Sequence, residues 1–132
     1  SSQQQQMQQT AIEATLFELF GDNVLCNDIQ SRYYPFIRYV GDGVSSAEEC
    51  GNMCSNCPGN NQGGLVLRGF NYFGLFNACE CLVDVGISFD KTVCEDVVAA
   101  IDANKGSGEI VNTTPYQGVQ CWKVPSPSSS KA

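Results

Sequence analysis

The chain has 132 residues, with 8 cysteines, no histidine, and 7 basic against 14 acidic side chains, for a net charge of -7. This length fits one domain, with or without tails. The lack of histidine excludes Ser-His-Asp and Cys-His nucleophile systems, histidine-ligated zinc and imidazole acid–base catalysis. The acidic balance disfavours nucleic acid as a partner, because phosphate contacts need clustered cations. No apolar run is long enough to predict a membrane span.

The first 21 residues are predicted to form an arm outside the cysteine-bounded region. Residues 1–9 are a Gln-rich, low-complexity stretch. Thr10 and Glu13 form a capping box and Gly21 is a helix stop, which predicts a helix up to Phe20. An extended conformation stays open as an alternative, because Leu16 and Phe20 also share one face at a period of two.

The arm carries apolar side chains that need a partner surface. Because they precede the first cysteine, they pack either on their own domain or on another chain, and both alternatives stay open. These predicted assembly residues are Ile12, Leu16, Phe17, Leu19 and Phe20.

A second helix is predicted near the middle of the chain. Ser46 and Glu49 form a capping box, so the helix should run over about 46–56. Cys50 and Cys54 are then one turn apart and lie on one face of that helix.

Short strands and one further helix are predicted around this segment. Residues 28–40 read as strand material interrupted by Pro35. A third helix is predicted over about 90–104, because apolar residues recur there at helical spacing before Lys105-Gly106. The other predicted strands are 65–67, 69–73, 79–83, 110–111 and 119–124.

The cysteines predict a disulfide framework formed in an oxidising compartment, because their number is even and high for this length. They stand at Cys26, Cys50, Cys54, Cys57, Cys79, Cys81, Cys94 and Cys121. The competing interpretation is a four-cysteine zinc site. It would use Cys50, Cys54, Cys79 and Cys81, although the spacing of the last two is poor for chelation. Disulfides are favoured, and no metal or cofactor is predicted.

Several features are typical of a secreted protein. The chain begins at Ser1 with no recognisable signal peptide, which fits a mature secreted chain and equally a trimmed one, and the sequence does not distinguish the two. Asn112 opens an N-glycosylation sequon and is the predicted glycosylation site. The Ser/Pro-rich tail, 125–132, resembles an O-glycosylated stalk. The predicted localisation is therefore extracellular.

Three motifs together resemble the PAN/Apple family over about residues 26–124: Ala47-x-x-Cys50-x3-Cys54, Gly69-Phe70-Asn71-Tyr72 and Cys79-x-Cys81-Leu82. The resemblance implies an α+β fold in which a disulfide-stapled helix crosses a small antiparallel sheet. This chain would add an extra helix and the N-terminal arm. The predicted organisation is an arm over 1–21, a disulfide-bonded domain over 22–124 and a tail over 125–132.

The resemblance also implies a pairing of six cysteines, in which Cys26 joins Cys121, Cys50 joins Cys81 and Cys54 joins Cys79. The family pattern does not supply Cys57 and Cys94, and these are paired by elimination.

PAN/Apple modules bind proteins or carbohydrates and are not enzymes, which is what the resemblance implies here. No constellation of catalytic groups can be drawn from the sequence. One aromatic cluster has two interpretations, packing inside the domain or a ligand surface. Its members are Tyr33, Tyr34, Phe36 and Tyr39.

Two functional hypotheses follow. The first is a non-catalytic, secreted structural protein that forms an extracellular polymer, filament or matrix through its N-terminal arm, as a homo-oligomer. The second is a monomeric PAN/Apple-like adhesion module that binds glycans or a protein receptor.

Overall fold

The computed structural model describes residues 17–41, 43–57, 59, 64–85, 98–100 and 105–125. These residues form a six-stranded antiparallel sheet with one helix, an α+β arrangement joined by disulfides. The elements are β1 (Glu18–Asn27), β2 (Phe36–Val40), α1 (Ala47–Asn56), β3 (Leu65–Phe73), β4 (Ala78–Val85), β5 (Val98–Ala100) and β6 (Asn112–Lys123).

The strands follow the order β1-β6-β3-β4-β2-β5, so β1 and β5 are the edges of the described sheet. The long pairing of β1 with β6 joins the two ends of the domain. Its register shifts twice, between Leu19 and Gly21 and between Asp22 and Val24, and Asn23 has a positive φ of 57°. Such irregularities on an edge strand hinder unintended pairing with another chain.

The helix α1 begins where its capping residues predict. The Ser46 hydroxyl oxygen accepts a hydrogen bond from the backbone N–H of Glu49 at 3.1 Å. The Glu49 carboxylate in turn accepts hydrogen bonds from the backbone N–H and the hydroxyl of Ser45. The helix predicted over 46–56 is therefore confirmed, with one variation, because the carboxylate reaches one residue further back than in a standard capping box.

The sheet is covered differently on its two faces because side chains alternate along each strand. On one face α1 packs over β3 and β4, and its buried cysteines lie against Phe70 and Ile37. On the other face the residues between the strands cover the sheet, and Tyr34 and Ile110 form a second buried cluster with Leu82. The first of these is called the helix face below, and the second the loop face.

Two helix predictions are wrong in the residues described. Residues 18–20 begin strand β1 instead of ending a helix, so the arm boundary at residue 21 falls inside a strand. Residues 98–100 form β5, which pairs with β2, instead of the end of a helix. In both places the partner strand is distant in sequence, so the local spacing of apolar residues gave no indication that these segments pair as strands. The rest of 90–104 and residues 1–16 lie outside the described residues.

The predicted strands on either side of the helix are confirmed at 36–40, 65–67, 69–73, 79–83 and 119–123. The two segments 65–67 and 69–73 are one strand, β3, with a register shift between Leu67 and Gly69. Residues 110–111 were predicted as a strand but lie just before β6, which begins at Asn112.

Three disulfides join the described residues. Cys26 pairs with Cys121, as the resemblance implied, and closes the domain. The two helix bridges are the reverse of the implied pairing: Cys50 joins Cys79, and Cys54 joins Cys81. The order of such pairs depends on the direction in which a helix crosses a strand. Here later helix residues meet later strand residues, which the spacing of the cysteines alone does not determine.

The fourth predicted bridge has one end in the described residues. Cys57 is disulfide-bonded. Its predicted partner, Cys94, lies outside the described residues.

Candidate functional site

The described end of the arm packs on its own domain through one aromatic contact. The Phe17 ring meets the Phe70 ring edge-on, with 4.9 Å between the ring centroids. Gly51 on α1 leaves room for this contact, because a Cβ atom there would lie 3.4 Å from the Phe17 ring and 3.2 Å from the Phe70 ring. Phe17 therefore occupies a seat formed by α1 and β3.

The next arm residues leave apolar surface uncovered at the edge of the sheet. Leu19 is 45% exposed and Phe20 is 38% exposed. The Lys123 ammonium lies 5.0 Å from the centre of the Phe20 ring. The predicted arm residues Ile12 and Leu16 lie outside the described residues.

The four aromatic residues predicted as a ligand surface do not form one. Tyr34 and Phe36 are buried in the loop-face cluster, and the Tyr34 hydroxyl donates to the backbone oxygen of Gly108 at 2.8 Å. Tyr39 packs on the helix-face core, and its hydroxyl donates to the backbone oxygen of Cys57. Only Tyr33 reaches a polar cluster that continues towards open surface. Burial raises the pKa of both Tyr34 and Tyr39.

A hydrogen-bonded network crosses the loop face from one side of the sheet towards the other. Asn71 accepts from the backbone N–H of Cys26 at 3.1 Å and donates to the Tyr33 hydroxyl at 2.9 Å. The Tyr33 hydroxyl donates to the Glu80 carboxylate, which also accepts from Arg38 Nε at 2.9 Å. Burial and the Glu80 charge together raise the pKa of Tyr33 well above its ordinary value. The network thus keeps Tyr33 as a neutral donor.

Beyond this network lies a shallow groove of about 310 Å³ on the loop face. The buried Ala78 lines it, and Arg38 and Glu80 line it from the network side. Its apolar lining is unusually exposed: Val40 is 65% exposed, Phe76 64% and Tyr116 46%. The Phe73 and Tyr116 rings meet edge-on, with 6.2 Å between centroids. The groove therefore combines aromatic walls with a charged pair at one end.

The sequence did not predict most of the groove, because the residues that line it are far apart in the chain. One signal was available. Leu75 and Phe76 are large apolar residues in the tight turn between β3 and β4, where a chain usually places polar residues. Apolar side chains at a turn that cannot bury them indicate a contact surface.

The loop after β1 is held by one buried carboxylate. Asp28 accepts from the backbone N–H groups of Gln30, Arg32 and Ser107, and pairs with the Arg32 guanidinium at 2.9 Å. Burial acts to raise the pKa of Asp28, but these hydrogen bonds outweigh it and leave the pKa below its ordinary value. The carboxylate is therefore a structural anion.

The predicted glycosylation site lies beside this loop. The Asn112 side-chain amide donates to the backbone oxygens of Asp28 at 3.0 Å and Ile29 at 3.1 Å. A glycan replaces one of the two hydrogens of that nitrogen, so glycosylated Asn112 would lose one of the two bonds.

The only cluster of potential metal ligands in the described residues consists of three cysteines that are already paired. The sulfur atoms of Cys50, Cys54 and Cys79 all lie within 4.8 Å of one another. In this structure two disulfides take the place of the alternative four-cysteine zinc site.

Comparison with known proteins gives no family for this chain, so a proposal about its function rests on the fold and on these surfaces. The chain matches no model of a known protein family, no curated protein and no solved structure. Within the described residues, no helix is long and apolar enough to cross a membrane. Three disulfides in so small a domain are consistent with an extracellular protein.

Proposed function

We propose that this protein is a non-catalytic, secreted structural subunit that assembles with copies of itself through the chain that precedes Cys26. The observation that carries the proposal is the exposure of Leu19 and Phe20 on an edge strand, next to the seat of Phe17. Apolar side chains left uncovered at a sheet edge are typical of a contact surface between chains.

The disulfides support a role for the chain before Cys26 that is separate from the role of the bridged domain. The bridge between Cys26 and Cys121 closes a sequence separation of 95 residues and leaves the preceding chain outside it. Phe17 packs in its seat against Phe70 and Gly51, and it lies outside this covalent loop. A segment held in this way can exchange with the same segment of a neighbouring copy, and exchange that does not close on itself produces a filament.

The irregular pairing of β1 bears on how the copies would meet. The two register shifts in β1 disfavour the simple addition of a neighbour's strand at this edge. The proposed contact therefore uses side chains: Leu19 and Phe20 of one copy are covered by a neighbour.

Leu19→Ser with Phe20→Ser tests the proposal without removing any described strand. We expect the unaltered chain to form large assemblies, seen by analytical ultracentrifugation and negative-stain imaging, and the double variant to stay monomeric, because it removes the exposed apolar contact. Phe17→Ser should weaken assembly in the same way, because it empties the seat on Phe70.

Ile29→Ser is the matched control, because Ile29 is also apolar and is 74% exposed, but lies in the loop after β1. It should assemble like the unaltered chain. An unaltered chain that is monomeric at every concentration, or a Leu19 and Phe20 double variant that assembles equally well, contradicts the proposal.

The groove favours a second candidate, an adhesion module of PAN/Apple-like type that binds a neutral glycan. What supports it is the lining: aromatic rings can stack on the apolar face of a sugar, and the Arg38 guanidinium offers donors to hydroxyl groups. The net charge of -7 disfavours acidic ligands. Among the bridges, the one between Cys26 and Cys121 has the pairing that the family resemblance implied and supports this candidate, whereas the two helix bridges are paired the other way round.

Binding to an array of neutral glycans tests the second candidate. We expect specific binding that is lost in Tyr116→Ala and Phe76→Ala, whose side chains line the groove, and kept in Ile29→Ala. Binding that survives both groove substitutions, or its absence from the whole array, contradicts a glycan site. Binding of a protein instead would assign the groove to a receptor.

A further inference from the structure

The four cysteines that join α1 to β4 form one compact cluster of sulfur atoms. The two bridges are neighbours, and the sulfur of Cys54 lies 3.6 Å from the sulfur of Cys79, to which it is not bonded. The cysteines at 50, 54, 79 and 81 have no exposed surface. The cluster is therefore a dry site in which the sulfurs of Cys50, Cys54 and Cys79 lie within 4.8 Å of one another, while the Cys81 sulfur is bonded to that of Cys54.

The separations in this cluster are close to those of a metal site. Four thiolates around Zn²⁺ lie about 2.3 Å from the metal, which places them about 3.8 Å from one another in a tetrahedron. The contact between Cys54 and Cys79 already has nearly this length, and Cys50 lies within 4.8 Å of both. The Cys81 sulfur, which is bonded to that of Cys54, lies outside this group of three, so the Cys81 side chain would have to turn towards Cys50 and Cys79 once the bridges are reduced.

The backbone supplies the ligands in two pairs, of which Cys79 and Cys81 have the less favourable spacing for chelation. Cys50 and Cys54 project from one face of α1, and Cys79 and Cys81 project from one face of β4. Two ligands come from each element, so a metal ion would join the helix to the sheet as the two disulfides do. The Cα atoms across each bridge are 5.5 Å apart, so the elements are already close enough.

We propose that Cys50, Cys54, Cys79 and Cys81 form a four-thiolate zinc site in the reduced chain, and that the disulfide pair and the zinc site are alternative redox states of one staple. An all-sulfur tetrahedral set favours zinc among the divalent ions because thiolates are soft ligands and zinc accepts this geometry without strain. This proposal does not depend on assembly or on glycan binding.

Conversion of the disulfide pair into the zinc site uses a dithiol as the reductant. Two dithiol molecules reduce the two bridges; each loses two electrons and two protons, becomes a cyclic disulfide and leaves two cysteine thiols. Zn²⁺ then replaces the four thiol protons, which pass to the solvent. Because the cluster is buried, the metal enters as the reduced chain folds, so metal binding and folding are coupled.

Cobalt substitution tests the site, because tetrahedral cobalt thiolate has characteristic visible absorption. The full chain is unfolded with a dithiol, refolded without oxygen in the presence of Co²⁺, and compared with the oxidised chain by circular dichroism. We expect one Co²⁺ per chain, the tetrahedral thiolate spectrum, its loss on addition of one equivalent of Zn²⁺, and native secondary structure that is lost with a chelator.

Two double variants separate this cluster from the remaining cysteines. Cys54→Ser with Cys81→Ser should abolish the cobalt spectrum, because it removes two of the four ligands. Cys26→Ser with Cys121→Ser is the matched control: it removes a different bridge and should still bind one metal ion per chain.

Three results overturn the proposal. The first is a reduced chain that refolds without retaining metal. The second is equal metal binding by the Cys54 and Cys81 double variant, which would place the metal on other cysteines. The third is failure of the reduced chain to regain native secondary structure with the metal, when the oxidised Cys26 and Cys121 double variant refolds under the same conditions.

Discussion

The two faces of the sheet are stabilised in different ways. On the helix face, α1 is joined to β4 by two disulfides over a dry cluster that includes Phe70 and Ile37. The loop face has one bridge, between Cys26 and Cys121, in its buried cluster; beside it runs the hydrogen-bonded network through Asn71 and Glu80, and the far end of this face opens into the groove. Two bridges thus fix a helix over the helix face, whereas the loop face keeps polar and aromatic groups available for recognition.

The comparison also separates the two candidate functions in space. The arm packs on the helix face through Phe17 and leaves Leu19 and Phe20 exposed at the edge. The groove lies on the opposite face, around Tyr116 and Phe76. A substitution in one surface can therefore be made without altering the other.

Removing the bridge that closes the domain should have the largest effect on stability. Cys26→Ser with Cys121→Ser opens a loop that spans a sequence separation of 95 residues, so we expect the free energy of unfolding to fall by about 4–5 kcal/mol. Removing the helix bridge between Cys54 and Cys81, whose separation is 27 residues, should cost about 3–4 kcal/mol. Denaturant unfolding measures both, and a reversed order would contradict the dependence on loop length.

Breaking the network should destabilise the loop face by a smaller amount. Asn71 has no exposed surface and bonds both the backbone N–H of Cys26 and the Tyr33 hydroxyl. Asn71→Ala leaves these groups without their partner, so we expect a loss of about 2–3 kcal/mol. Gln120→Ala is the comparison, because its side-chain amide donates to the Asp22 carboxylate at the exposed edge of the sheet, and it should cost about 1 kcal/mol or less. Equal losses would show that the buried part of the network contributes no more to the free energy of unfolding than an exposed hydrogen bond does.

Acid should weaken the loop after β1 through Asp28. Its pKa is lower in the folded protein than in the unfolded chain, so its contribution is present above the unfolded pKa, which is about 4, and is lost as pH falls below that value. Asp28→Asn should cost about 1–2 kcal/mol near neutral pH and reduce the loss of stability in acid. Thermal unfolding between pH 7 and 3 measures this. A variant with the same pH dependence as the unaltered chain would assign the acid sensitivity to other groups.

The smallest expected effect lies at the start of α1. Ser46→Ala removes the acceptor for the backbone N–H of Glu49, so we expect a loss of about 1 kcal/mol. Ser46→Asp should restore most of it, because aspartate also caps a helix N-terminus. Urea unfolding of the two variants measures the difference. A loss as large as that of a helix bridge would mean that α1 depends on its cap more than on its staples.

Local signals were sufficient for the parts of the fold that depend on neighbouring residues. The capping box located α1, and the spacing of Cys50 and Cys54 placed both on its buried face. The period of two along β4 likewise placed Cys79 and Cys81 on one face. The groove was beyond such reasoning, because Val40, Phe76 and Tyr116 come from three separate strands and turns.

The sequence by itself determined the helix, the strands next to it, the even set of cysteines and the bridge between Cys26 and Cys121 that the family resemblance implied. Each depends on short-range patterns or on a recognised motif. Only the tertiary structure decided that residues 18–20 and 98–100 are strands, because their partners, β6 and β2, are distant in sequence. It also decided that Cys50 meets Cys79 and Cys54 meets Cys81, because the direction of a helix across a strand is set by packing of the whole domain.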